Sequence, residues 1–237
     1  MDDQARLGRL VPDFTPPPRP VGVTLKGRFV RLERMDPDTH AGDLHRACCG
    51  HDSLWDYMLY GPFPSAAGYH RWAKEFASGT DPLFYVLRDA ATGRAAGVAS
   101  YLHIAPEAGS IEVGHICISP ELSRTPATTE AMFLMMDWAF SNGYRRYEWK
   151  CNALNLPSRR AAQRLGFSFE GIFRQHLVTK GRNRDTAWFA VIDKEWPALR
   201  EAFAAWLAPP NFDATGHQRE KLSDLTLLLR AGSDPGL

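Results

Sequence analysis

The sequence NLPSRRAAQRLGFSFEG occupies residues 155–171 and carries the most specific local pattern in the chain. Asn155 stands where a helix N-cap is expected, and Pro157 fits the first helical turn. The following residues have the composition of a short helix that Gly166 ends. Residues 167–173 are rich in phenylalanine and predict a strand. The segment therefore predicts a short helix that turns directly into a strand.

Apolar periodicity places further elements on both sides of this segment. Apolar runs bounded by turn residues predict strands, and apolar residues at helical spacing predict helices. A turn-rich segment at 180–185 separates the last two strands. The predicted strands are 28–35, 83–88, 95–104, 111–119, 144–151, 167–173 and 187–192, and the predicted helices are 40–49, 66–77, 128–142, 158–165 and 197–207. The order β-α-α-β-β-β-α-β-α-β-β predicts an α/β (α+β) fold.

The composition is that of an ordinary globular protein. The chain has 237 residues, a formal net charge of +1 and 44% hydrophobic residues, so it can bury a core without disulfides, and its charge requires neither nucleic acid nor an acidic membrane as partner. No apolar run reaches the roughly 18 residues that span a bilayer, and Met1 to Gln4 do not resemble a signal peptide. We expect a cytoplasmic protein with free thiols at Cys48, Cys49, Cys117 and Cys151.

The chain divides by composition into three regions. Residues 1–27 contain five prolines and little apolar periodicity, which predicts an extended arm. Residues 28–196 hold the predicted sheet and helices of one domain. Residues 197–237 predict a helical extension whose leucines at 222, 225 and 227–229 pack either on the same chain, the more economical choice, or in a homodimer.

Three stretches and the order of elements resemble the GNAT superfamily of N-acetyltransferases. Residues 111–120, IEVGHICISP, resemble its fourth strand, and residues 124–131 stand at the position of its phosphate-binding loop. Residues 155–171 resemble the signature of its RimJ/RimL-like branch. The resemblance covers residues 28–196 and implies a mixed, mostly antiparallel twisted sheet of about seven strands flanked by helices.

The same resemblance implies an acyl-CoA-dependent N-acyltransferase. Acetyl-CoA is the expected co-substrate, and the acceptor is a primary amine of a protein N-terminus or of a small molecule. A larger acyl group such as succinyl stays open, and no metal is expected because no histidine or cysteine cluster has ligand spacing. The alternative is a CoA-binding regulatory or interaction module that has lost turnover.

The resemblance also implies a set of CoA-binding residues. Pantetheine would lie along the fourth strand and use the main chain of Ile116 and Ile118, while Asn155 would contact a pantetheine amide. Arg160 or its neighbour Arg159 could reach the phosphates. The pyrophosphate would lie on the loop at the start of the following helix, which contains Arg124, Thr125, Ala127, Thr128 and Thr129.

This loop departs from the family pattern because it contains no glycine. Pro126 has no N–H to offer, and side chains at Ala127 and Thr129 restrict how closely a phosphate can approach. Two outcomes remain open: the threonine hydroxyls add phosphate donors, or the loop merely caps the helix and binds CoA weakly.

The catalytic residues are less clearly marked. Many family members carry a tyrosine as proton donor where this chain has Ala162, so Ser158 becomes the candidate acid. Glu112 is the first candidate for the base, with His115 and His176 behind it. Alternation puts His115 on the face opposite Glu112 unless a β-bulge intervenes.

Two segments are candidates for the acceptor pocket. The connection between the first two helices is unusually aromatic, with Trp55, Tyr57, Tyr60 and Phe63, although core packing could explain half of these residues. His176 and the cationic 180–185 turn, represented by Arg182, would face the same cleft and favour an anionic acceptor or an acidic peptide. A solvated hairpin tip is the alternative for that turn.

Overall fold

A computed structural model of the chain describes residues 7–237, so the first six residues of the predicted arm lie outside the described part. One eight-stranded sheet in the order β1-β2-β3-β4-β5-β6-β8-β7 organises the fold. Neighbouring strands are antiparallel except β5 and β6, which run parallel. The strands are β1 Leu25–Lys26, β2 Val30–Arg34, β3 Leu83–Asp89, β4 Ala95–Ala105, β5 Ser110–Ile118, β6 Arg146–Asn152, β7 Ser168–Thr179 and β8 Arg182–Ile192.

Six α-helices flank the sheet within residues 7–237, and none of them has the length and apolar character needed to cross a membrane. They are α1 Pro37–Cys48, α2 Ala66–Phe76, α3 Pro126–Ser141, α4 Leu156–Arg164, α5 Trp196–Leu207 and α6 Leu222–Thr226. The predicted fold class is confirmed. The sheet has eight strands rather than about seven because Leu25–Lys26 adds a short first strand, so the predicted fourth strand is β5.

Alternation along the central strands builds two cores, one on each face of the sheet. Tyr85 and Leu87 of β3 belong to the larger core, which also holds the buried faces of α3 and α5, while Phe84 and Val86 belong to the core under α1 and α2. Both cores are dense in aromatic rings. The sheet is therefore buried on both faces in its middle.

A single carboxylate joins α3 to the beginning of β2. Glu130 is buried, and its oxygens accept hydrogen bonds from the backbone N–H groups of Arg28, Phe29 and Val30 at 2.9, 2.6 and 3.0 Å. A Cβ atom at Gly27 would lie 2.2 Å from this carboxylate, so any other residue there would displace Glu130 from these hydrogen bonds. The contact fixes the start of α3 relative to the sheet.

The predicted turn at 180–185 is wrong in its extent. Only Lys180 and Gly181 form the turn, with φ angles of 50° and 72°, and strand β8 already begins at Arg182. Two left-handed residues make a tight connection whose twist matches that of the strands. The remaining polar residues of the segment therefore lie in the ladder rather than in a loop.

The last part of the chain packs on the rest of the same chain. Leu222 is fully buried, and Leu225 and Leu229 pack against the larger core, whereas Leu227 and Leu228 are exposed. Beyond α6, the carbonyl of Gly232 accepts a hydrogen bond from the N–H of Phe169 at 3.0 Å, and Asp234 pairs with Arg159. These contacts tie the C-terminal segment to α4 and to the start of β7.

Candidate active site

The two parallel strands of the sheet separate halfway along their length. β5 and β6 pair from Ser110 and Arg146 to Val113 and Trp149, and both strands then continue without pairing to each other. A groove opens between them, and the backbone of residues 114–118 is unpaired on the side that faces β6. Such a backbone edge can form hydrogen bonds with an extended ligand. The groove is lined by Tyr57, Val113, Gly114, His115, Ile116, Trp149, Lys150, Cys151, Asn152, Asn155, Ser158 and Arg184.

Helix α4 begins at the wall of this groove and brings two predicted residues into it. Asn155 caps the helix, because its Oδ1 accepts a hydrogen bond from the N–H of Ser158 at 3.1 Å. The Oγ of Ser158 in turn accepts from the indole Nε1 of Trp149 at 3.0 Å. This bond orients the hydroxyl without using its proton, and the thiol of Cys151 lies within hydrogen-bond reach of the same hydroxyl. Capping and ligand contact are compatible roles for Asn155.

The hydroxyl groups of the loop that is predicted to bind phosphate point into the protein. Thr125 and Thr128 both donate to the carbonyl of Leu122 at 2.7 Å, and the Oγ1 of Thr129 accepts from Arg164 at 3.0 Å. Of the two alternatives, phosphate donation is not supported for Thr125 and Thr128, whose hydroxyl protons are used within the loop, and Thr129 is buried against Arg164 of α4.

The start of α3 still offers backbone N–H groups to a ligand. The N–H groups of Ala127 and Thr128 lie in the first turn of α3, where a helix supplies no internal partner. Arg124 precedes them with a left-handed φ of 61°, and its side chain is exposed. The positive end of the helix dipole and this cation make the loop suitable for an anion.

The two arginines after Ser158 have different surroundings. Arg159 is buried and pairs with both carboxylate oxygens of Asp234 at 2.6 and 2.5 Å, while its Nη1 donates to the carbonyl of Ala153 at 2.8 Å. Its guanidinium is therefore occupied. Arg160 is exposed and free to reach an incoming phosphate.

Glu112 lies behind the groove rather than in its lining. Its buried carboxylate is 2.7 Å from the ammonium of Lys150 and 2.7 Å from Nδ1 of His103, and the hydrogen bond to Glu112 raises the pKa of His103. Lys150 also pairs with Glu148 at 2.8 Å and lies 4.0 Å from the ring centre of Trp188. With Lys150 and His103 held against it, Glu112 is poorly placed to take a proton directly from an amine in the groove.

A β-bulge brings His115 into the groove. The pairing of β4 with β5 shifts by one residue between Val98 and Ser100, and His115 adopts a left-handed φ of 51°. Its Nδ1 lies 2.9 Å from the hydroxyl of Tyr60. Burial lowers the pKa of His115 to about 4, so the imidazole is neutral at physiological pH, and burial raises the pKa of Tyr60.

The aromatic connection divides between core and groove. Trp55 is only 3% exposed and belongs to the core under α1 and α2, and the half-buried Phe63 packs against that core. Neither ring lines the groove; both line a separate cavity beside α1, so their role in acceptor binding stays a prediction. Tyr57 lines the groove and donates from its hydroxyl to the carbonyl of Leu154 at 3.2 Å. Tyr60 does not line the groove itself but forms a hydrogen bond with His115, which does. Core packing thus explains half of this set.

The β7–β8 hairpin brings one cation of the predicted 180–185 segment to the groove, which is Arg184 rather than Arg182. Arg182 is exposed at the tip, and His176 lies on β7 with its Nδ1 3.0 Å from the hydroxyl of Thr186; neither residue lines the groove. Arg184 does line it. Sequence reasoning also missed Lys150, although alternation along β6 and β8 would have placed both cations on one face once the turn was fixed at Lys180 and Gly181.

Comparisons with known proteins bear on the family and the fold. The acetyltransferase (GNAT) domain family matches residues 30–168. The crystal structure of a GCN5-related N-acetyltransferase from Brucella melitensis is 46% identical, covers 91% of this chain and 99% of its own, and has a TM-score of 0.89. A GNAT-family protein from Chromobacterium violaceum, described as a probable acetyltransferase, is 37% identical over 81% of this chain and 96% of its own, with a TM-score of 0.77.

More distant matches carry less information. A chimera of the spermidine N-acetyltransferase SpeG from Vibrio cholerae is 16% identical over 71% of this chain and 98% of its own, with a TM-score of 0.57, which shows the fold alone. No curated protein matches the sequence. The RimJ/RimL-like branch therefore stays a prediction.

Proposed function

The chain belongs to the GNAT acetyltransferase family, and from that premise we propose that it transfers the acetyl group of acetyl-CoA directly to a primary amine of a small molecule or of a protein N-terminus. The observation that carries the proposal is the groove between β5 and β6, with unpaired backbone on one wall and Asn155 and Ser158 on the other. Family membership favours the enzyme over the predicted CoA-binding module. The four unpaired cysteines support a reducing, cytoplasmic setting.

The groups of the groove match the parts of acyl-CoA in their order along the CoA molecule. The backbone of Ile116 and Ile118 would bond to the pantetheine amides, and Asn155 would contact the same arm from α4. The N–H groups of Ala127 and Thr128 would receive the pyrophosphate. Arg124 and Arg160 would supply charge, so the loop can hold phosphate without glycine and without its threonine hydroxyls.

Transfer needs one bond to form and one to break. The lone pair of the neutral amine attacks the thioester carbonyl carbon, the C–N bond forms, and the C–S bond then breaks to release the thiolate of CoA. Ser158 would donate a hydrogen bond to this sulfur and relay a proton to it from water. The thiol of CoA has a pKa near 8.5, so its thiolate can leave before it is fully protonated and a strong acid is not needed.

The nitrogen must lose the proton that the sulfur gains. We assign this step to His115 in the tautomer whose Nδ1–H donates to the hydroxyl oxygen of Tyr60, because Nε2 then carries the lone pair that accepts a proton. A neutral imidazole can accept a proton once the attacked nitrogen becomes cationic and strongly acidic. Glu112 would hold the side chains of Lys150 and His103 in place and would not itself contact the amine.

Release of free thiol from acetyl-CoA tests the proposal. With a panel of small amines and peptide N-termini, wild-type protein should consume the thioester in proportion to acetylated product. Ser158→Ala should lower kcat by at least about tenfold, toward the range typical of a lost general acid, with little change in KM for acetyl-CoA. Ser141→Ala, at the exposed end of α3, serves as the matched control. Tight CoA binding without turnover on any acceptor would contradict the proposal and favour the binding module.

A further inference from the structure

Arg184 is a cation of the groove that no carboxylate of residues 7–237 contacts. It lies on β8 and lines the groove, and its Nε is buried without a hydrogen-bond partner in that part of the chain. A buried N–H donor normally has a partner, because burying it without one is unfavourable. The guanidinium therefore lacks an acceptor that a ligand could supply.

The neighbouring cations are already satisfied. Lys150 is held between Glu112 and Glu148, and the ammonium of Lys180 donates to the carbonyl of Trp55 at 2.8 Å. Burial lowers the pKa of Arg184, but an arginine stays protonated in proteins. Arg184 thus leaves a positive charge in the groove that an anionic group can balance.

The register of the sheet decides from which side that group comes. Lys150 pairs with Trp188 and Asn152 pairs with Thr186, so Arg184, two residues further along β8, lies on the same face as Lys150. Trp149 points to the opposite face, where it binds Ser158 of α4. The proposed pantetheine contacts are on the α4 face, and Arg184 is on the other.

We propose that Arg184 binds a carboxylate of the acceptor, so that the preferred acceptors are amines with a carboxylate near the reacting nitrogen, as in amino acids. This inference rests on the proposed function. A guanidinium matches a carboxylate with two parallel hydrogen bonds, which fixes orientation as well as charge. Arg184 and Ser158 line one groove, so a compact acceptor could meet Arg184 while its amine faces the thioester.

Matched acceptors test this specificity. We would compare amino acids with their carboxamides in the thiol-release assay, with rates corrected for the fraction of neutral amine. Wild-type protein should prefer the carboxylate by tenfold or more in kcat/KM. Arg184→Gln should remove that preference and leave kcat/KM for the carboxamides within about threefold, while Arg184→Lys should keep part of it. Arg182→Gln, at the exposed hairpin tip, is the matched control and should behave as wild type.

Other outcomes would overturn the inference. Equal rates for acids and amides in wild type would do so, as would a uniform loss on both acceptor types in Arg184→Gln with an unchanged circular dichroism spectrum. A preference for succinyl-CoA over acetyl-CoA with a neutral amine, lost in Arg184→Gln, would assign the carboxylate to the acyl group instead.

Calorimetry separates this inference from the proposed function. Amino acids and their carboxamides are titrated into the complex of the protein with CoA. Carboxylate-dependent binding that Arg184→Gln abolishes would support the inference even where no acceptor releases thiol, and in that case only the proposed function fails. Absence of any difference between acid and amide in this titration would contradict the inference.

Discussion

At the scale of single residues, His115 links backbone geometry to the chemistry of the groove. Its left-handed φ of 51° turns the ring into the site at the bulge, and Tyr60 and Phe84 cover it. Burial then keeps the imidazole neutral, with a pKa lowered from 6.5 to about 4. The position of the proposed base therefore follows from a local distortion of one strand.

The shifted pKa predicts a specific loss of stability in acid. Below pH 6.5 the unfolded chain takes up a proton at His115, whereas the folded protein does so only near pH 4. The unfolded state therefore binds more protons in this window, and stability falls as the pH falls through it. Replacement by asparagine, which tolerates a positive φ, removes this titration. Between pH 7 and pH 4.5 wild type should lose roughly 2 kcal/mol more than His115→Asn in urea unfolding. If the free energy of unfolding changed equally with pH in wild type and His115→Asn, the result would contradict the low pKa of His115.

Residue identity alone could not settle the site. Asn155 and Ser158 are brought into the groove as the sequence predicts, because a helix cap fixes both positions locally. The groove lining does not include Glu112, Trp55 or Arg182. Their positions depend on neighbours from other strands and helices, which the local sequence does not show. The bulge at His115 depends on the pairing of β4 with β5, which no local pattern in the sequence reveals.

At the scale of elements, the C-terminal segment positions α4 at the wall of the groove. The ion pair of Arg159 with Asp234 is almost fully buried, and the same arginine holds the carbonyl of Ala153, two residues before Asn155. The N–H of Asp234 also donates to the side chain of Gln163 at 2.9 Å. Sequence periodicity predicted the helices here, but the pairing joins residues far apart in the chain and could not be predicted.

Removal of this carboxylate should affect both stability and the affinity for acyl-CoA. Asp234→Asn leaves the buried charge of Arg159 without its counterion, which should cost about 3 kcal/mol in the free energy of unfolding. The KM for acetyl-CoA should rise more than kcat falls, because the backbone before Asn155 loses its anchor. Asp193→Asn, at an exposed site, is the control. The double variant Arg159→Met/Asp234→Asn should recover part of the lost stability; strictly additive losses would argue against the pairing.

At the scale of the whole molecule, the fold assembles one groove from segments that are distant in sequence. The order of elements and the two-faced burial of the sheet follow from apolar periodicity, which is why the fold class could be predicted. The separation of β5 from β6 is a property of the complete sheet, in which pairing stops at Val113 and Trp149. For the proposed function, this separation would let acyl-CoA enter on the α4 face and the acceptor on the opposite face.

The position of CoA in a crystal of its complex with this protein tests that account most directly. We expect the pantetheine arm between residues 114–118 and Asn155, the pyrophosphate at the N-terminus of α3, and the sulfur beside Ser158. CoA bound outside the space between β5 and β6, or a sulfur remote from Ser158 and His115, would contradict the account.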